Sequence, residues 1–214
     1  MKTQRTVYHL IIDKSGSMSD CIDATINGFN DQLNKIRSLE LEYPEQEILI
    51  GLTTFNDEVE NHFVLQNLSV LTTFSRKNYR PNGSTALFDA IGQTCLMLEE
   101  RNRLDQKIPT THVIVILTDG HENSSRNFNL GQIRSLIERL EKTEAWTFSF
   151  IGATLDAVEV AVSMSIKSQN SFAFEKHSMK SEVWDKLSNS MSSYAKKKSL
   201  GERFDDLFSR DKHL

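Results

Sequence analysis

Three short stretches of this chain carry oxygen donors in a pattern that suits a hard cation. The first, Asp13-Lys14-Ser15-Gly16-Ser17, has oxygen-bearing side chains at alternate positions, which places them on one side of an extended loop. The second supplies Thr85, just after the turn sequence Pro81-Asn82-Gly83. The third, Thr118-Asp119-Gly120, brings another carboxylate. Mg²⁺ takes about six oxygens and usually keeps several waters, so two carboxylates and three hydroxyls from Asp13, Ser15, Ser17, Thr85 and Asp119 are enough. Mn²⁺ accepts the same all-oxygen donors. Asp20 and Asp23 follow the first stretch closely and read as caps of the next helix, where negative charge is favoured, not as ligands.

Such a site forms only if the elements between these stretches return the chain three times to one edge. Val7–Ile12 (VYHLII) is a nearly continuous apolar run, as expected of a strand buried on both faces in a parallel sheet. Ile22, Ile26, Phe29, Leu33 and Ile36 then recur at helical spacing within Ile22–Leu39. Ile48–Phe55 reads as a second strand, and Val59–Leu65 beyond the Asn56-Asp57 turn as its antiparallel hairpin partner. A helix runs through Ala86, Leu87, Ile91, Cys95 and Leu98, with Ser84 or Thr85 as its cap. Val113–Leu117 is a further buried strand. Helices over Leu130–Leu140, Asp156–Met164 and Glu182–Tyr194 are interleaved with strands at Trp146–Ile151 and, at the edge, Ser171–Phe174. This alternation predicts an α/β fold: a doubly wound, mostly parallel central sheet with one antiparallel edge strand and helices on both faces. In such sheets ligands bind at the carboxyl ends of strands, and two of the three stretches follow strands directly.

A chain of 214 residues suits one domain, read as residues 1–198, with 199–214 as a C-terminal tail. The net charge is -4, and the one dense basic cluster, Lys196-Lys197-Lys198, reads as a solvated helix end, which argues against a nucleic-acid partner. No run of about 18 apolar residues predicts a membrane span. No apolar leader is visible after Met1, and Cys21 and Cys95 lie in no metal-binding or disulfide-like spacing, so a cytoplasmic protein with reduced thiols is expected.

The order and loop positions of the oxygen-bearing stretches resemble the von Willebrand factor A family. Its metal-ion-dependent adhesion site is written DxSxS, then T, then D. DKSGSM (Asp13–Met18), GSTALFDAI (Gly83–Ile91) and LTDG (Leu117–Gly120) match all five positions. The resemblance covers about residues 5–195, and Phe150-Ile151-Gly152-Ala153 makes the chain similar to compact bacterial members of the tellurium-resistance TerY type. It implies Ser15, Ser17 and Thr85 as direct ligands, with Asp13 and Asp119 binding directly or through water. It also implies a coordination place left for a carboxylate of the partner. The expected function is thus a non-enzymatic, metal-dependent protein-binding module whose partner presents an Asp or Glu.

The rival reading is a Mg²⁺-dependent phosphatase-like hydrolase of the haloacid dehalogenase class, which also follows its first strand with an aspartate. That class needs a second aspartate two residues on, where this chain has Ser15, and a serine cannot replace that general acid. His121-Glu122 lacks the second histidine of a zinc HExxH motif. The tail is charge-rich and should be mobile. Yet Phe204, Leu207 and Phe208 stand at i, i+3 and i+4, a stripe too short to hold a helix without a surface to dock on, either its own domain or a partner.

Overall fold

The computed structural model describes residues 2–67, 73–105, 107–154, 156–176, 179–202 and 207–208. Six strands form one sheet: β1 (Gln4–Asp13), β2 (Gln46–Phe55), β3 (Val59–Asn67), β4 (Thr110–Thr118), β5 (Trp146–Gly152) and β6 (Ser171–Ala173). Their order across the sheet is β3-β2-β1-β4-β5-β6. Only β3 runs antiparallel, as the hairpin partner of β2; the remaining pairings are parallel. The strand order therefore reverses between β1 and β4, and the crevice at that point opens at their carboxyl ends.

Alternation along the central strands feeds two cores. Tyr8, Leu10 and Ile12 of β1, with Val113, Val115 and Leu117 of β4, pack beneath α1 (Ile22–Glu42) and α5 (Trp184–Ser199). Val7, Ile11, Ile114 and Ile116 point the other way, beneath α2 (Leu87–Leu104), α3 (Leu130–Glu141) and α4 (Ala157–Ser163). These strands carry apolar residues on both faces because both faces are covered. Burying each large side chain fully stabilises the fold by about 1.5–3 kcal/mol. Helix α1 turns Phe29, Leu33 and Ile36 inward and stops at Tyr43, next to Pro44, whose ring disfavours helical backbone in the residue before it. Gly28 lets α5 approach α1: a Cβ there would lie 2.0 Å from Trp184 Nε1.

Three expectations from the sequence are corrected. Neither Ser84 nor Thr85 caps α2; its N-cap position is Ala86, without a side-chain cap bond, because Thr85 is held in the preceding loop by Asn123. Lys198 is only partly exposed. Its ammonium donates to Arg5 O and Thr6 Oγ1 at 2.8 and 2.7 Å, and to Thr111 Oγ1, clamping the end of α5 onto the amino ends of β1 and β4; burial pulls its pKa down to about 7. The tail, expected to be mobile, docks in part on its own domain, one of the two surfaces expected for its apolar stripe. Leu207 and Phe208 are buried, Phe208 meets Phe172 of β6 edge-on with ring centroids 4.9 Å apart, and Leu207 N–H donates to Asn170 Oδ1 at 2.7 Å. Phe204 lies outside the described residues.

Candidate metal centre

The first stretch begins where β1 ends. Asp13 is the last residue of the strand, and the chain passes through Ser15 into a short 3-10 turn, Gly16–Cys21, that leads into α1. Asp13 is fully buried. Its Oδ1 accepts the Ser15 N–H at 2.6 Å, its Oδ2 accepts the Thr118 hydroxyl at 2.6 Å, and its carbonyl accepts the Tyr79 hydroxyl at 2.7 Å. Burial is the largest cause that pushes the Asp13 carboxyl up to about 6; the bonds from Thr118 and Ser15 oppose it and the neighbouring Asp119 adds to it.

The second loop is bound to the first by backbone. Gly16 N–H donates to Gly83 O at 3.0 Å, and Asn82 N–H donates to Lys14 O at 2.9 Å. Gly83 takes a positive φ of 71°, a conformation glycine adopts without strain. The third loop grips Thr85 from both sides: Thr85 N–H donates to Asn123 Oδ1 at 2.8 Å, and Asn123 N–H donates to Thr85 O at 3.0 Å. The Thr85 hydroxyl is thereby aimed by its backbone. Asp89 adds a further tie between α2 and this loop. Burial works against its ionisation, but N–H groups of Arg126, Phe128 and Asn127 outweigh that and hold its pKa below the usual range.

All five expected residues converge. Ser15 Oγ lies 3.1 Å from Ser17 Oγ, and Ser17 Oγ donates to Asp119 Oδ1 at 2.6 Å. The missing side chain of Gly120 marks the cradle between them: a Cβ there would sit 3.1 Å from Thr85 Oγ1 and 3.8 Å from both Asp13 Oδ2 and Ser17 Oγ. Asp13, Ser15, Thr85 and Asp119 are buried while Ser17 is exposed, so the cradle opens to solvent on one side. Hydroxyls and carboxylates from three loops make an all-oxygen set that fits Mg²⁺ or Mn²⁺. Among the described residues no group of three His, Cys, Asp or Glu could hold a metal, so any cation here depends on the hydroxyls.

The structure corrects the role of Asp20 and Asp23 as caps, although Asp23 does place its charge in the first turn of α1. The short turn and α1 have no side-chain cap bond, and Asp23 instead takes a bidentate, exposed pairing with Arg76, at 2.7 and 2.8 Å to Nη2. His121 stays largely exposed, 3.8 Å from Asp156. Sequence reasoning missed four residues that build the site: Thr118, Asn123, Tyr79 and Lys176. Lys176 places its ammonium 2.5 Å from Asp119 Oδ2 and donates to Ser17 O at 3.0 Å. Only Thr118 carried a local signal, since it adjoins Asp119.

Among the described residues no helix is long and apolar enough to cross a membrane. A search of curated protein sequences returns no match. Solved structures share the fold. Proximal thread matrix protein 1 of the mussel byssus, with a zinc-occupied metal-ion-dependent adhesion site motif, aligns over 91% of this chain and 46% of its own at 18% identity and a TM-score of 0.53. Manganese-loaded Plasmodium vivax TRAP protein aligns over 84% of this chain and 71% of its own at 15% identity and a TM-score of 0.56. The pilus adhesin SpaC of Lactobacillus rhamnosus GG, in its open conformation, aligns over 92% and 31% at 13% identity and a TM-score of 0.67. The chain thus spans less than half the length of the mussel and Lactobacillus proteins. The profile of the von Willebrand factor type A domain matches residues 9–193, most of the sequence, and the chain belongs to that family.

Proposed function

We propose that this protein binds one Mg²⁺ or Mn²⁺ through Asp13, Ser15, Ser17, Thr85 and Asp119 and uses it to engage a protein partner through an Asp or Glu. The observation that carries the reading is the convergence, beside Gly120 of the third loop, of buried Asp13 and exposed Ser17 from the first loop and buried Thr85 from the second, with Asp119 bonded to Ser17. Two buried carboxylates side by side repel each other, and a divalent ion relieves that repulsion. Few protein charges surround the cation, so it keeps Lewis acidity for an incoming carboxylate. Domains of this family are in general adhesion and protein-interaction modules that depend on metal. We read this one as non-enzymatic: Ser15 occupies the position where a phosphatase of the dehalogenase class has its general acid. We further read it as a cytoplasmic, bacterial, TerY-like module, with residues 1–198 as the domain and 199–214 as an appendage.

Titration calorimetry with Mn²⁺ tests the metal site. The parent should bind one equivalent, and the protein carrying Asp13→Ala with Asp119→Ala none; equal binding by both would place the cation elsewhere. A purified partner, once found, should be released by EDTA, and a complex indifferent to EDTA would move the partner surface away from this crevice.

A further inference from the structure

Lys176 lies in the link between β6 and the π-helical turn Met179–Val183 that leads into α5. Nothing in its local sequence ties it to the crevice. Its ammonium nevertheless reaches across the sheet edge to two of the three loops, 2.5 Å from Asp119 Oδ2 and 3.0 Å from Ser17 O. The other oxygen of Asp119 is taken by the Ser17 hydroxyl. The Asp119 side chain has no solvent exposure, while that of Lys176 keeps 39%. Among the described residues Lys176 is the cation that faces the paired carboxylates, since Lys14, closer in sequence, turns to Glu60 at 2.7 Å. A buried carboxylate without a partner is costly, and Lys176 supplies that partner. An ammonium and a divalent cation on one carboxylate are like charges, so each weakens the other's hold on it. The lysine, on a flexible four-carbon stem with one end in solvent, is the group able to leave.

We propose that Lys176 is a tethered cation that occupies Asp119 when the divalent ion is absent and competes with that ion for it, thereby setting the protein's metal affinity. The inference rests on the metal-site reading above. An internal competitor weakens the apparent affinity by the fraction of molecules it leaves competent. If it holds Asp119 about nine-tenths of the time, its removal tightens binding about tenfold.

The test is calorimetric titration of Mn²⁺ into the full chain and into its Lys176→Met variant, which keeps the stem and removes the charge. Binding about tenfold tighter in the variant, with a lower melting temperature in EDTA, supports the proposal; affinities within twofold of each other overturn it. A second measurement needs no variant. In the parent, an amine-reactive reagent followed by mass spectrometry should modify Lys176 several-fold faster in saturating Mn²⁺ than in EDTA, and an unchanged rate overturns the proposal. If the parent binds Mn²⁺ and the variant binds it equally, only the competition fails. If the parent binds no Mn²⁺, the metal-site reading fails and takes the competition with it.

Discussion

Asp13→Asn replaces a buried carboxylate with an amide of nearly the same shape. The Asp13 carboxyl is pushed up to about 6, first by burial and further by Asp119, against about 3.9 in an unfolded chain. A carboxyl whose pKa rises on folding destabilises the fold wherever it is ionised, and at about 1.4 kcal/mol per unit the charge costs roughly 3 kcal/mol at pH 7. The amide avoids that cost and keeps the bonds. Its oxygen can accept from Ser15 N–H, and its NH₂ can donate to Thr118 Oγ1, whose hydroxyl has Gly120 O 3.2 Å away as an alternative acceptor. In EDTA at pH 7 the variant should therefore be more stable than the parent by about 2–3 kcal/mol. Mn²⁺ should stabilise the parent alone, by about 2.7 kcal/mol at 100 times its dissociation constant, which closes the gap. Urea denaturation of both proteins in EDTA and across a Mn²⁺ series measures this. A variant less stable than the parent in EDTA by more than about 1 kcal/mol, or one that gains as much from Mn²⁺ as the parent, would refute the reasoning.

Two further predictions concern the fold away from the crevice. His112 is buried and stacks on Trp146 with ring centroids 4.0 Å apart, and neither ring nitrogen has a hydrogen-bond partner among the described residues; burial, with the charges of Lys198 and Arg5, pulls its pKa down to about 4. Its contribution is present above the unfolded value near 6.5 and is lost as pH falls towards 4, so acidification from pH 7 to 4.5 should cost the parent about 2–3 kcal/mol more than it costs His112→Phe, while protonation of Asp13 offsets part of the loss in both. His112→Phe should flatten that part of the stability profile, and an unchanged slope in urea titrations would show that the loss comes from elsewhere. Phe208→Ala should destabilise the protein by about 2–3 kcal/mol by removing the edge-on contact with Phe172 and the contact of its ring face with the Lys186 ammonium, 5.6 Å from the ring centroid. Hydrogen exchange should find the Leu207 amide, bonded to Asn170, protected in the parent and fast in the variant; a fast amide in the parent would mean the tail is not docked.

The sequence alone determined the strands, most of the helices and the five oxygen-bearing side chains that the fold brings together. Val7–Ile12 and Val113–Leu117 are apolar without interruption because both faces of those strands are covered, and α1 shows its buried stripe at helical spacing. Asp13, Ser15 and Ser17 were legible because the donors share one short loop, and Asp119 because it stands at a strand end. Periodicity and strand ends are local properties, readable within a few residues. What aims those donors is not local. Asn123 holds Thr85 from 38 residues away, Tyr79 reaches the Asp13 carbonyl across 66, and Lys176 meets the Ser17 carbonyl across 159. No pattern of spacing encodes such pairings, because each exists only once the sheet order has brought separate loops to one edge. Lys198 and Phe208 make the same point: a lysine in a basic run looks solvated by composition, and a short apolar stripe in a charged tail asks for a surface without saying which. The tertiary fold decides both, by presenting three acceptors to one and an aromatic face to the other.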